Sequence, residues 1–298
     1  MTSASFLGLG ELLWDCFPDR RLPGGAPANV AFHAQQLGLS AAPVTRVGTD
    51  PLGDELYGFL KSQGLNVDLV QRDPVHGTGT VTVEPAGTQT TYTFKPDSAW
   101  DFLELTSSLQ AAMRSASAVC FGTLAQRCPV SREAIHAALA STAPACLIVY
   151  DVNLRPPFYE RAWIERSLRQ ARIVKLNDEE VRLLNGMLDV QAIDDREFAR
   201  WLIRQYDLEL VCVTRGGAGC LLVRDDEIVD VPGVPVQVVD TVGAGDAFTA
   251  ALIQTRLAGW TLQRTADFAN KVGALVASRA GVMPELTQEL ALLREKSG

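Results

Sequence analysis

The chain has 298 residues, 47% of them hydrophobic, enough to bury a large core as one α/β domain or one domain with a small appendage. Its 27 Lys and Arg against 35 Asp and Glu leave a net charge of −8 with no basic run, which argues against nucleic acid or an acidic membrane as partner and makes any phosphate site a local one. No apolar stretch reaches the roughly 18–20 residues of a membrane span, the start lacks the basic residues of a signal peptide, and the six cysteines form no Cys-x-x-Cys pair, so a cytoplasmic protein with reduced core thiols is expected.

Short apolar runs alternate with helical patterns along the chain. A strand is expected near 6–13, a helix near 27–37, a strand near 42–47 and a helix near 52–63. Further strands are expected at 118–122, 147–152, 173–176 and 210–214, with helices between them and a largely helical C-terminal third after Asp246. That rhythm predicts an α/β fold with a mostly parallel sheet covered by helices on both faces. One segment departs from it. Residues 77–94 set Thr80, Thr82 and Glu84 against Val81 and Val83, turn at Pro85-Ala86-Gly87 and return over 90–94, the pattern of an antiparallel hairpin. Such a hairpin is a surface excursion, a cover over something, or a surface that pairs with another chain.

The densest chemistry lies in Asp240-Thr241-Val242-Gly243-Ala244-Gly245-Asp246. Gly243, Ala244 and Gly245 have little or no side chain, so their amides can approach an anion closely, and the start of the following helix adds its dipole. A bare carboxylate there would repel phosphate. Asp246 makes chemical sense if it faces the incoming nucleophile and takes a proton from a hydroxyl while the amides hold the charge of the transferred group. A plain helix start with an acidic first turn has the same residues. No P-loop is present, Gly8-Leu9-Gly10 lacks the third glycine of a dinucleotide fingerprint, and no protein-kinase catalytic motif follows Gly77-Thr78-Gly79.

A second cluster, Gly24-Gly25-Ala26-Pro27-Ala28-Asn29, lies near the other end of the chain. Together the two runs resemble the paired signatures of the PfkB (ribokinase-like) family of sugar and nucleoside kinases, and the resemblance covers nearly the whole chain. It implies a ribokinase-like three-layer sandwich, a single domain over 1–298, with a central mostly parallel sheet and a small β lid from about 10–23 and 77–98. It implies an ATP-dependent sugar kinase using Mg2+, with a small-molecule sugar and ATP as partners and the lid as a surface for a homodimer.

Carried onto this chain, the resemblance makes Asp15, Gly24, Gly25 and Asn29 the sugar-binding set. Asp151-Val152-Asn153-Leu154-Arg155 follows a strand apolar enough to be central, where α/β sheets bind ligands. Its pattern resembles the fructokinase and ketodeoxygluconate kinase branches, with Arg155 either clamping an oxygen or pairing with Asp151. Asn177 and Glu180 match the family's Asn-x-x-Glu motif, which organises magnesium and phosphate, Glu180 through water; an acidic first turn on the helix dipole gives the same spelling. Thr214, Gly216 and Gly219 resemble the nucleotide loop in what is also a hairpin turn, and Asn270 falls on the adenine-flanking helix. Asp240 and the Val242 carbonyl match a monovalent-cation site for K+, although Arg279-Ala280-Gly281-Val282-Met283-Pro284 departs from the usual closing pattern. Phe94-Lys95-Pro96-Asp97-Ser98-Ala99 looks most like the fructokinase branch, so fructose is the expected substrate, with ketodeoxygluconate second and a non-turnover binding protein disfavoured by the intact Asp246.

Overall fold

The computed structural model describes residues 5–86 and 89–297. Its main sheet is built from β1 (Ser5–Leu9), β4 (Ser40–Gly48), β5 (Val70–Asp73), β8 (Ala118–Phe121), β9 (Leu147–Asp151), β10 (Ile173–Asn177), β11 (Leu210–Thr214), β12 (Cys220–Arg224) and β13 (Glu227–Val231). The order is β13-β12-β11-β10-β9-β8-β1-β4-β5. From β5 to β11 neighbouring strands run parallel, and only the β11–β12 and β12–β13 pairings are antiparallel.

Both faces of a parallel sheet must be covered, because its strands are apolar on both sides. One face carries α1 (Ala26–Gln36), α2 (Pro51–Ser62), α8 (Ala244–Leu257), α9 (Leu262–Ala277) and α10 (Thr287–Lys296), with Phe32, Leu56, Phe248, Phe268 and Leu290 in one buried cluster. The other carries α3 (Ser107–Ser115), α4 (Pro129–Ala140), α5 (Arg161–Gln170), α6 (Asp178–Met187) and α7 (Asp195–Tyr206), packed through Met113, Ile135, Ile164, Leu184 and Phe198. The mainly parallel three-layer architecture agrees with expectation.

The expected strand over 6–13 is two strands. β1 stops at Leu9, and after Gly10-Glu11-Leu12 the chain enters a second sheet as β2 (Leu13–Cys16). That sheet has the order β3-β2-β6-β7, with β3 (Arg21–Gly24), β6 (Gly79–Ala86) and β7 (Gln89–Phe94). β6 and β7 form the expected antiparallel hairpin, and β6 also pairs in parallel with β2, so the two expected lid segments are joined by backbone hydrogen bonds. Gly87, in the expected turn, lies outside the described residues. Leu13, Val81 and Val83 form the small sheet's own core.

Both connections of the hairpin to the body are pinned. At its entry, Thr78 donates through its amide (2.8 Å) and its hydroxyl (2.5 Å) to Asp50. At its exit, Arg127 donates to both carboxylate oxygens of Asp101 (2.8 and 2.7 Å) and to the Lys95 carbonyl (2.6 Å), its guanidinium 4.1 Å above the Trp100 ring.

Candidate active site

The anion turn has the geometry its glycines require. Gly243, the N-cap of α8, adopts φ 82°, and a Cβ there would stand 2.7 Å from the Val282 carbonyl oxygen. The first backbone bond of the helix runs from the Ala247 amide to the Gly243 carbonyl, 2.9 Å, so the Gly245 and Asp246 amides precede it and are free to face an anion.

Asp246 sits in that first turn and accepts a hydrogen bond from Asn29 Nδ2 at 2.7 Å. Two glycine-flanked clusters from opposite ends of the chain thus meet in one contact between α1 and α8. The Asp246 carboxyl is half-buried in surface terms but walled in by protein. Burial, and then the neighbouring Asp151, push its pKa up to about 7 against the opposing effects of Asn29, Lys175 and Arg155. A carboxylate poised near neutrality is matched to taking a proton from a hydroxyl.

Beneath the turn lies a pair that the sequence reading missed. Lys175, on β10, is 7% exposed and donates to Asp151 Oδ1 and Oδ2 at 3.0 and 3.2 Å, while Thr249 Oγ1 donates to Asp151 Oδ2 at 2.7 Å. Burial alone would lower the Lys175 pKa, but Asp151, Glu180 and Asp246 hold it above the ordinary lysine range. The Asp151–Arg155 pairing left open by the sequence is therefore not formed; Lys175 is the partner. A lysine inside an otherwise apolar central strand was the available signal, since buried lysines are almost always paired.

Asp15 lies on β2, its Oδ2 only 2.4 Å from where a Cβ on Gly24 would be, which explains the glycine there. Gly25, at φ 118°, is likewise packed against the Glu11 carbonyl. Burial pushes Asp15 up to about 6 and also raises buried Glu11, with Arg155 opposing both. Arg155 itself is exposed, donates only to the Leu154 carbonyl at 3.3 Å, and forms no ion pair among the described residues. One free cation thus faces Glu11, Asp15 and Asp246. Lys95 instead folds back on the hairpin entry, its Nζ 2.7 Å from where a Cβ on Gly77 would stand.

The remaining expected residues divide. Asn177 and Glu180 form a reciprocal cap on α6: Glu180 N donates to Asn177 Oδ1, and Asn177 N to Glu180 Oε2, both at 2.8 Å. Glu180 Oε1 accepts from the Leu154 amide at 2.8 Å, so this buried carboxylate is first of all a brace for the Arg155 segment. Thr214 ends β11, and Gly216 (φ 52°) and Gly219 (φ 100°) bound the turn into β12. Asn270, on α9, donates through Nδ2 to the Pro232 carbonyl at 2.8 Å. Asp240 accepts from the Val242 amide (3.0 Å) and the Gly281 amide (3.3 Å), bracketing the loop behind Gly243. Among the described residues no three His, Cys, Asp or Glu side chains gather as a metal cluster. A magnesium ion fits this arrangement only if it arrives with phosphates and keeps its own waters.

Comparison with known proteins points to one family. The model of the pfkB family of carbohydrate kinases matches residues 10–289. The chain is 30% identical over 313 residues to a fructokinase of Escherichia coli, covering 99% of this chain and 100% of the relative. The structure resembles Vibrio cholerae O395 fructokinase with fructose, ADP and calcium bound: TM-score 0.82, 28% identity, 99% of each chain covered. It also resembles an uncharacterized sugar kinase from Pyrococcus horikoshii in complex with ATP: TM-score 0.80, 29% identity, 93% of this chain and 94% of that one covered.

Proposed function

Since the chain belongs to the pfkB family of carbohydrate kinases, we propose that it transfers a phosphoryl group from ATP to the 6-hydroxyl of D-fructose, with Asp246 as general base. The observation that carries this reading is the 2.7 Å bond from Asn29 to Asp246, which puts the expected sugar contact and the expected base in one hydrogen-bonded unit. Asp15 and Asn29 bind sugar hydroxyls, the first as acceptor and the second as donor and acceptor. Asn29 also holds the Asp246 carboxylate toward the hydroxyl from which it takes the proton. The Gly245 and Asp246 amides, with the α8 dipole, hold the charge that develops on the transferred group. Thr214, Gly216, Gly219 and Asn270 line the nucleotide end, Glu180 would order waters of a magnesium ion, and Asp240 with the Val242 carbonyl would hold K+. When bound, ATP supplies the phosphoryl group and Mg2+ neutralises its oxygens.

The small sheet acts as the lid over the sugar. Its outer strands β3 and β7 have no further strand partner among the described residues, which supports a homodimer joined through the two small sheets. No described helix is long and apolar enough to cross a membrane, in keeping with a cytoplasmic setting.

Fructose is favoured over ketodeoxygluconate because Asp15 and Asn29, the expected sugar contacts, offer acceptors and a donor suited to neutral hydroxyls. The test is an ADP-release assay over fructose, ribose, ketodeoxygluconate, tagatose and adenosine with Mg-ATP and potassium. Fructose should give the highest kcat/KM. A preference of roughly a hundredfold for the acid overturns the substrate and leaves the kinase class intact.

A further inference from the structure

Lys175 is a buried cation that the sugar and nucleotide contacts proposed above leave unused. A Cβ on Gly245 would stand 3.3 Å from its Nζ, so the ammonium lies directly behind the anion turn with only the Gly245 backbone between. Asp151 fixes it there through both oxygens and is itself fixed by Thr249, a residue of the same helix that Asp246 opens. Buried ion pairs are often no more stabilising than apolar residues of the same volume, so stability alone does not account for this one.

The groups that face Asp246 come from several elements: Asn29 on α1, Asp151 on β9, Lys175 on β10, Arg155 after β9 and the Cys120 thiol on β8. Glu180 on α6 faces Lys175 from the other side. Without Lys175, Asp246 would have to ionise beside an uncompensated Asp151.

We propose that Lys175 is a positioning residue for phosphoryl transfer, neutralising Asp151 behind Gly245 so that the Asp246 carboxylate can stand ionised at the anion turn. The proposal rests on Asp246 being the base. Its direct readout, however, needs neither sugar nor nucleotide.

The experiment follows the Asp246 carboxyl carbon by NMR titration of the ligand-free protein, its signal assigned by disappearance in Asp246→Asn. Lys175→Met should move the midpoint up by roughly one pH unit or more, Asp151→Asn should move it down, and the double variant should return it toward the wild-type value. Lys175→Arg, which keeps the charge, should leave it close to wild type. The acid limb of kcat/KM should move with the midpoint while KM for the sugar stays put. An unmoved midpoint in folded Lys175→Met overturns the proposal. Should that variant not fold, Asp151→Asn is compared with the double variant, a higher midpoint in the double variant supporting the proposal and equal midpoints overturning it. Near-normal turnover by Asp246→Asn defeats the base reading whatever the midpoints do; an inactive Asp246→Asn with immobile midpoints defeats only the role of Lys175.

Discussion

His33 Nε2 lies 3.0 Å from the carbonyl oxygen of Val282, and that same oxygen occupies the space beside Gly243. Fully buried, with burial pushing its pKa down to about 4, His33 stays neutral and donates its ring N–H. Helix α1 thereby holds two things from one face, one turn apart: Asp246 through Asn29, and the loop behind the anion turn through His33.

Gly243→Ala should therefore be severe. The new methyl would stand 2.7 Å from the Val282 oxygen in a left-handed backbone, displacing the turn from the position in which its amides face an anion. A loss of roughly a hundredfold in kcat is expected, with sugar affinity much less affected. Steady-state kinetics would reject this geometry if kcat were kept and only KM rose.

Asp246→Asn should lower kcat by roughly 10²–10⁴-fold with little change in ligand binding. In the wild type, kcat/KM should fall about tenfold per unit as pH drops below about 7, where the carboxylate takes up its proton. A flat profile between about pH 5 and 8 would remove Asp246 from the chemistry.

The same carboxylate should cost stability at neutral pH. Its pKa is raised from 3.8 to about 7 on folding, so between those values the native state binds more protons than the unfolded one, and stability falls as pH rises through that window. Asp246→Asn should therefore melt above the wild type at pH 8, by roughly 2–4 °C for each kcal/mol relieved, and the gap should close near pH 4. Calorimetry at the two pH values is sufficient, and an equal gap at both would contradict the assigned shift.

Glu180→Ala should impair folding before it impairs magnesium. It strips the acceptors from the Leu154 and Asn177 amides, at a cost of about 1–3 kcal/mol, and loosens the segment that carries Arg155. Both Tm and sugar KM should worsen. A raised magnesium requirement with unchanged Tm would instead place Glu180 mainly at the metal.

Fructose should slow amide exchange in β6 and β7 if the small sheet closes over it. Exchange measured with fructose alone and with ATP alone separates the two ligands, and protection only by ATP would end the lid assignment.

The two glycine clusters were legible from sequence because glycine is needed where backbone must approach something closely, and Gly24, Gly25 and Gly243 all meet such a neighbour within 3 Å. Strands β1, β4 and β8 to β11 announced themselves as apolar runs. β5, Val-Gln-Arg-Asp, did not, because an edge strand with one apolar residue carries no periodicity. Glu180 could be read equally as cap or as metal organiser, since both uses share one spelling; only the Leu154 amide showed how fully the carboxylate is engaged. Lys175 was hidden because its meaning comes from Asp151, on the adjacent strand but 24 positions away in sequence.

Asp15 belongs to the small sheet through β2, while Asn29 belongs to the main body through α1. A ligand gripped by both spans two separately built pieces, as an object spans the jaws of a caliper, and the spacing of the jaws is held by the Asp50 and Arg127 pins together with the Trp14 bond to the Leu52 carbonyl and the Arg21–Glu55 ion pair. A molecule too short touches one jaw and a molecule too bulky props them apart. On the proposed reading, size is gauged mechanically before any hydroxyl is read, and selectivity can be retuned from Asp50 or Arg127 without altering a single group that touches sugar.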